Sequence, residues 1–264
     1  MRGKLPRLRS KTQEALSLSA LSALCIAYAY YFIDFSRPPF EDAAILMRYA
    51  EHFAEGHGIV WNVGEPPVDG ATDFLFMIVV GLLVKAGLSL ETATRSIGFL
   101  SHIGTVWIVY LTLRRLFNAD LVSSIVSAAY IAVGPGLYYV AAYFGTPFFA
   151  LFGSITWYMV LRTIEMGETG VTAVIFACTA LITALIRPEG VILTALMVAA
   201  MIYICGVSRV KYTLWYYFFM FTLVGGAYFL WRWSYFGFPL PNPYYKKGGG
   251  LFYSWSLKLS VWYT

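Results

Sequence analysis

The 264-residue chain is 59% hydrophobic and only 12% charged, with a mean hydropathy of +0.66, where soluble domains carry about 25% charged residues. A soluble core cannot absorb that much apolar surface. The net charge of +5 does not point to nucleic acid, because the basic residues fall in short clusters between apolar segments and never form a stripe with interleaved aromatics.

Met1 to Lys11 carries five basic residues ahead of an apolar run, Ala15 to Ile33. The length of that run and the absence of a small-x-small cleavage site make it a retained anchor rather than a signal peptide. Basic residues flanking membrane spans mark the cytoplasmic side, which places the N-terminus inside. Residues 34 to 73 then hold eight acidic side chains against two basic ones, as expected of an outer loop. Within it, Ile45, Leu46, Tyr49, Ala50 and Phe53 recur at helical spacing behind Pro38-Pro39-Phe40, giving an amphipathic helix of about four turns. On that helix Asp42 aligns with Ile45, Leu46 and Tyr49, whereas Glu41 aligns with Arg48, His52 and Glu55. A carboxylate on the apolar side of an interfacial helix is expected to be partly desolvated and so usable as a general base. Acidic residues in a first helical turn also answer the helix dipole, and taken alone the pair reads as a cap before it reads as catalytic.

Phe74 to Leu90 is apolar but short, and it carries Lys85, Gly81 and Gly87. Counting it as a crossing would put Arg114, Arg115, Arg209 and Lys211 outside, so it is read as lying along the membrane surface. Further crossings are expected at 97–113, 121–140, 147–162, 171–186, 190–206 and 212–231. The fold class is therefore all-α: a polytopic membrane protein with about seven spans and two interfacial helices in the first outer loop. Residues 1–264 form one transmembrane domain, divided into an outer loop with interfacial helices over 34–96, further spans over 97–231 and an outer loop over 232–264.

On this topology the unusual residues converge outside. Arg187 and Glu189 interrupt an apolar stretch, and a charge within the membrane costs about 2.5 to 3.5 kcal/mol on insertion scales. They are read both as a mutual ion pair at a helix hairpin and, for Arg187, as a phosphate ligand, readings that are compatible. Pro239 to Lys247 is too proline-rich for a helix and forms a rigid outer loop. Lys246 and Lys247 there oppose the positive-inside trend; an anionic lipid phosphate accounts for them, and so does snorkelling beside Tyr244 and Tyr245. His52, His57 and His102 have no metal-ligand spacing, and Cys25, Cys178 and Cys205 all lie in apolar segments with no CxxC pair. No metal ligand and no cofactor is assigned, and no nucleotide-phosphate loop is present.

The run Glu41-Asp42-Ala43-Ala44-Ile45-Leu46-Met47-Arg48-Tyr49-Ala50, followed by Ala54-Glu55-Gly56-His57-Gly58-Ile59-Val60-Trp61-Asn62-Val63-Gly64-Glu65, resembles the first outer loop of bacterial C-type (GT-C) glycosyltransferases. Arg187-Pro188-Glu189-Gly190 and Pro239-Leu240-Pro241-Asn242 through Lys246 resemble two further segments of that family in the expected order. The resemblance is to the branch holding mycobacterial arabinofuranosyltransferases and, more distantly, lipid A aminoarabinose transferases and protein mannosyltransferases. It implies an inverting enzyme of the plasma (inner) membrane and cell envelope, with its active site facing outward. The sugar would pass from a polyprenyl-phosphate donor to a hydroxyl of a glycan, lipid or protein acceptor. Asp42 is similar to the family's general base and Glu41 to its acidic neighbour. Arg48, Arg187, Glu189, Asn242, Tyr245 and Lys246 would bind substrate, with Arg187, Lys246 and Tyr245 toward the donor phosphate.

The chain departs from the family where relatives have two aspartates in place of Glu41-Asp42, and a Ser-Gly-x-Glu-Thr-Pro turn in place of Tyr143-Phe144-Gly145-Thr146-Pro147. Asp69 and Asp73 stand where glycine and tyrosine are usual and add acidic groups. The chain stops in an aromatic, apolar stretch, Leu251 to Thr264, and is expected to be a shortened relative of longer chains. Two other readings compete. A transporter predicts ionisable residues near the bilayer midplane and an internal repeat, neither of which is seen. A non-catalytic degenerate relative predicts that Asp42 is dispensable.

Overall fold

A computed structural model describes residues 11–242. Among them the chain is helical, without strands. Its helices are α1 (Lys11–Phe32), α2 (Glu41–Ala54), α3 (Phe74–Lys85), α4 (Leu90–Arg115), α5 (Leu121–Ala132), α6 (Gly136–Ala141), α7 (Thr146–Met166), α8 (Gly170–Ile186), α9 (Glu189–Cys205), α10 (Lys211–Met220) and α11 (Gly226–Phe236). A π-helical turn, Phe221–Gly225, joins the last two.

Five helical segments are long and apolar enough to cross a membrane: Lys11–Phe32, Leu90–Arg115, Leu121–Ala141, Thr146–Met166 and Lys211–Phe236. The chain is a membrane protein on that evidence. α8 and α9 are apolar but have 17 residues each, about 26 Å at 1.5 Å per residue. α3 has 12, about 18 Å, well short of a hydrocarbon core of about 30 Å.

The helices form a row in which α1 packs on α4 and α5, α4 on α7, α7 on α8, and α8 on α10, with α9 against α7 and α8. α2 and α3 pack on one another, and α3 bridges to α4 and α8. Helix starts are set by side chains that accept otherwise orphaned N–H groups: Ser89 from Thr92, Asp120 from Ser123, and Thr169 in a reciprocal box with Thr172. Inside the bundle, hydroxyls donate to carbonyls one turn back, as in Thr112 to Ile108, Thr156 to Phe152 and Thr183 to Thr179. That satisfies polar groups where lipid offers no partner.

One expected element differs. The single crossing over 121–140 is broken at Gly134-Pro135, because proline removes a donor and bends the chain. The carbonyl of Ala132 freed there meets His102 Nε2 at 3.1 Å, from a ring buried against Gly136. The amphipathic helix over Glu41–Ala54 is present, with its apolar face covered by α3. Leu46, Tyr49 and Ala50 pack with Phe76, Met77 and Val80 of α3.

Candidate functional site

α2 is the frame on which the first loop is hung. Arg48 donates from Nε to the Trp61 carbonyl (2.9 Å) and from its terminal nitrogen to Asn62 Oδ1 (3.0 Å), while its guanidinium lies 4.4 Å from the centre of the Trp61 ring. Asn62 in turn donates to Glu65 at 2.8 Å. One turn along, the buried Tyr49 hydroxyl donates to the Val68 carbonyl at 2.7 Å, and burial pushes its acidity down. His52 Nδ1 faces the Val60 carbonyl at 2.9 Å. These contacts fold residues 59–70 back over α2 and toward α11, where Tyr235 Oη accepts from the Ile59 N–H at 3.0 Å.

The loop is closed by a buried ion pair. Asp69 and Arg232 are 6% and 8% exposed and make a two-pronged contact, with Nε and a terminal nitrogen each 2.7 Å from a carboxylate oxygen. A third donor of Arg232 reaches the Tyr228 hydroxyl at 3.4 Å. This is the fork geometry in which a buried pair offsets its own desolvation. The Asp69 carbonyl also accepts from the Asn242 N–H at 2.8 Å, so the segment after α11 is tied to the same point.

Four residues on, Asp73 stands at the N-cap of α3, where its carbonyl accepts from the Met77 N–H but its side chain accepts no hydrogen bond from that helix. Its carboxylate turns instead to Arg187 between α8 and α9, with Oδ1 3.2 Å from Nε, and Glu189 approaches the same guanidinium at 3.6 Å. The Asp73 side chain is 10% exposed and that of Arg187 32%. Burial raises the proton affinity of Asp73, Arg187 opposes the rise and Glu189 adds to it, leaving the group above the usual carboxylate range. The Arg187 Nε is buried without a hydrogen-bond acceptor, so the contact is an ion pair without a hydrogen bond. Gly145 makes the space: a side chain there would begin 2.5 Å from Asp73 Oδ2. The α8–α9 hairpin that presents Arg187 is tight, since any side chain at Gly190 would strike the Thr183 carbonyl.

Beside this cluster is a cavity of about 440 Å³ between α8, α9, the π turn and α11, walled by Leu185, Pro188 and Phe229, with Thr72 and Arg232 as its polar end and Leu240 over it. It is mostly apolar, with one charged residue among its lining. A larger open hollow of about 860 Å³ on the outer side of α10 and α11 is lined by residues such as Leu214, Trp215 and Leu230 and has no charged group. It offers a ligand no anchor.

Comparison with protein-family models, characterised proteins and solved structures finds no match.

Of the residues singled out by sequence, Arg187 and Glu189 are brought together, and Asn242 is held beside Asp69. Glu41 and Asp42 are exposed and make no hydrogen bond or ion pair among the described residues. Asp42 is exposed at the first turn of α2 rather than desolvated, although Leu46 and Tyr49 on its side of the helix are buried. Arg48 is occupied with Trp61 and Asn62. Tyr245 and Lys246 lie outside the described residues. Among the described residues no three His, Cys, Asp or Glu side chains converge as a metal site. Sequence reasoning missed Arg232. Its signal was a single arginine between Trp231 and Trp233 in an apolar segment, which demands a buried partner.

Proposed function

We propose that the chain is a GT-C-type membrane glycosyltransferase that moves a sugar from a polyprenyl-phosphate donor to an acceptor hydroxyl at the outer face of the membrane. The observation that carries this reading is the Arg187 hairpin, which sets a partly exposed guanidinium next to Pro188, a wall of an apolar cavity opening among the spans. A cation with forked donors beside a greasy groove fits a phosphate that has a long hydrocarbon chain attached.

In this reading α8 and α9 complete seven spans, since about 26 Å of apolar helix suffices for a thin or locally thinned bilayer. α2 and α3 are then the interfacial pair, and the loop they frame lies outside. The acidic side chain that the turn at Gly145 lacks is supplied from a neighbour, Asp73, whose carboxylate sits where that side chain would begin.

The proposed step is a single displacement. Asp42, open to the outer solution, takes the proton of the acceptor hydroxyl as its oxygen bonds to the anomeric carbon. The bond from that carbon to the donor phosphate oxygen breaks on the opposite face, giving inversion, and the phosphate leaves with the electron pair beside Arg187. Glu41 orients the helix start, and the resemblance assigns Tyr245 and Lys246, which lie outside the described residues, to the phosphate.

The test is transfer of radiolabelled sugar by membranes supplied with a panel of polyprenyl-phosphate sugars, comparing the natural chain with Asp42→Asn at matched expression. Loss of transfer in the variant by about 10²- to 10⁴-fold is expected of a general base. Equal transfer by both removes Asp42 from the mechanism, and no transfer by either favours a non-catalytic relative.

A further inference from the structure

Asp73 and Asp69 are neighbours with opposite fates. Asp69 is locked to Arg232 through two short hydrogen bonds. Asp73 holds Arg187 only by proximity: the separation is 3.2 Å, the buried Nε has no acceptor, and the arginine side chain is still one-third exposed. Asp73 also forgoes the N-cap hydrogen bond its position offers, worth about 1 kcal/mol elsewhere. A carboxylate that gives up its own helix for an imperfect contact leaves the arginine free to change partners.

Resting on the phosphate reading of Arg187, we infer that Asp73 is a built-in competitor for that guanidinium: an anionic phosphodiester must displace its carboxylate, and the displaced Asp73 then takes up a proton. Asp73 is thus a positioning residue, coupling occupancy of the site to protonation.

The charges facing Asp73 support this direction. From the α8–α9 hairpin come Arg187 and Glu189; α8 itself carries no charge. In its own loop Asp69 is neutralised by Arg232. From the helices packed on α3, Arg48 is directed to Trp61 and Arg95 to Tyr143. The turn at 143–147 brings no charge. Of the influences on Asp73, burial and Glu189 raise its proton affinity and Arg187 alone among these residues lowers it. When a phosphate takes over Arg187, the lowering influence is lost and another negative charge arrives. The occupied protein therefore binds more protons than the free one, and affinity must rise as pH falls. The dependence is confined to the interval between the Asp73 pKa in the occupied chain, at its upper end, and that in the free chain, at its lower end.

The experiment titrates the full chain in lipid nanodiscs with an isoprenyl methyl phosphodiester, which has no titration of its own in the working range, and separately with inorganic phosphate. Calorimetry is run from about pH 5 to 8 in two buffers of different ionisation enthalpy. For the natural chain the expected result is proton uptake on binding, seen as a buffer-dependent enthalpy, with affinity rising by up to about tenfold per pH unit within the interval. Asp73→Asn is expected to bind more tightly at pH 8, by roughly 5- to 150-fold, with no pH dependence from this source. Should that variant fail to fold, the two-buffer comparison on the natural chain still decides. Proton uptake with equally tight binding of inorganic phosphate upholds the competition and makes the free anion the ligand. Binding without proton uptake overturns the competition and leaves the phosphate reading standing. No binding of either probe to either protein overturns both.

Discussion

Asp69 and Asp73 lie four residues apart in one loop, and each faces an arginine, but only the Asp69 pair has its hydrogen bonds satisfied. Removing one partner of such a buried pair strands the other charge, at a cost of about 3 to 5 kcal/mol. Asp69→Asn is accordingly expected to lower the unfolding midpoint in detergent by that margin, and Asp69→Asn combined with Arg232→Met to recover much of it. A single-variant loss under about 1 kcal/mol would mean the pair is solvated. At this scale the sequence was legible where charge interrupts apolar chain, as at Arg187 and Glu189. It was not legible where function depends on which way a side chain turns. Asp73 reads as one more acid in an acidic loop, and only its approach to Arg187 and Gly145 distinguishes it. Asp42 shows the converse: helical periodicity placed it over apolar neighbours, yet the packing of α2 on α3 leaves it exposed.

The helices carry two further tests. In the α8–α9 hairpin, backbone approaches backbone at Gly190, so Gly190→Ala must push the Thr183 carbonyl away and is expected to cost about 1 to 3 kcal/mol of overpacking strain. Because this hairpin presents Arg187, the same variant is expected to lose phosphodiester binding more than a surface glycine change such as Gly170→Ala, where a side chain meets open space. Unchanged binding would detach the hairpin from the site. In the broken span of α5 and α6, His102 meets the Ala132 carbonyl at the break; His102→Leu leaves it without a donor and is expected to cost about 1 to 3 kcal/mol, read from the denaturation midpoint. Apolar run lengths located nearly every helix, since about 20 residues are needed to cross the bilayer. They did not reveal the break at Gly134-Pro135, which follows from proline's missing donor rather than from hydropathy, or the π turn at Phe221–Gly225.

At the scale of the whole molecule, contacts between helix ends tie the described helices together. Glu14 pairs with Arg115, and Glu168 accepts from the N–H groups of Tyr212 and Thr213, which fastens one set of helix ends together. Compartment reporters inserted after Gly64 and after Asn118 are expected to report opposite sides, outer and inner respectively. Finding both on one side would mean that α3 and α4 both cross or that neither does. The class of molecule and the order of its segments were readable from hydropathy and charge alone, whereas the meeting of loop, hairpin and cavity depends on contacts between residues as far apart as Asp69 and Arg232.

The central claim is that a phosphate-linked sugar donor is held at Arg187. Its most direct test is the rate of sugar transfer from a radiolabelled polyprenyl-phosphate sugar by membranes carrying the natural chain or Arg187→Gln at equal abundance. The account predicts transfer by the natural chain and a loss of roughly 10²- to 10³-fold in the variant, as for removal of one donor from a charge-stabilising site. Transfer at an undiminished rate by Arg187→Gln would contradict it.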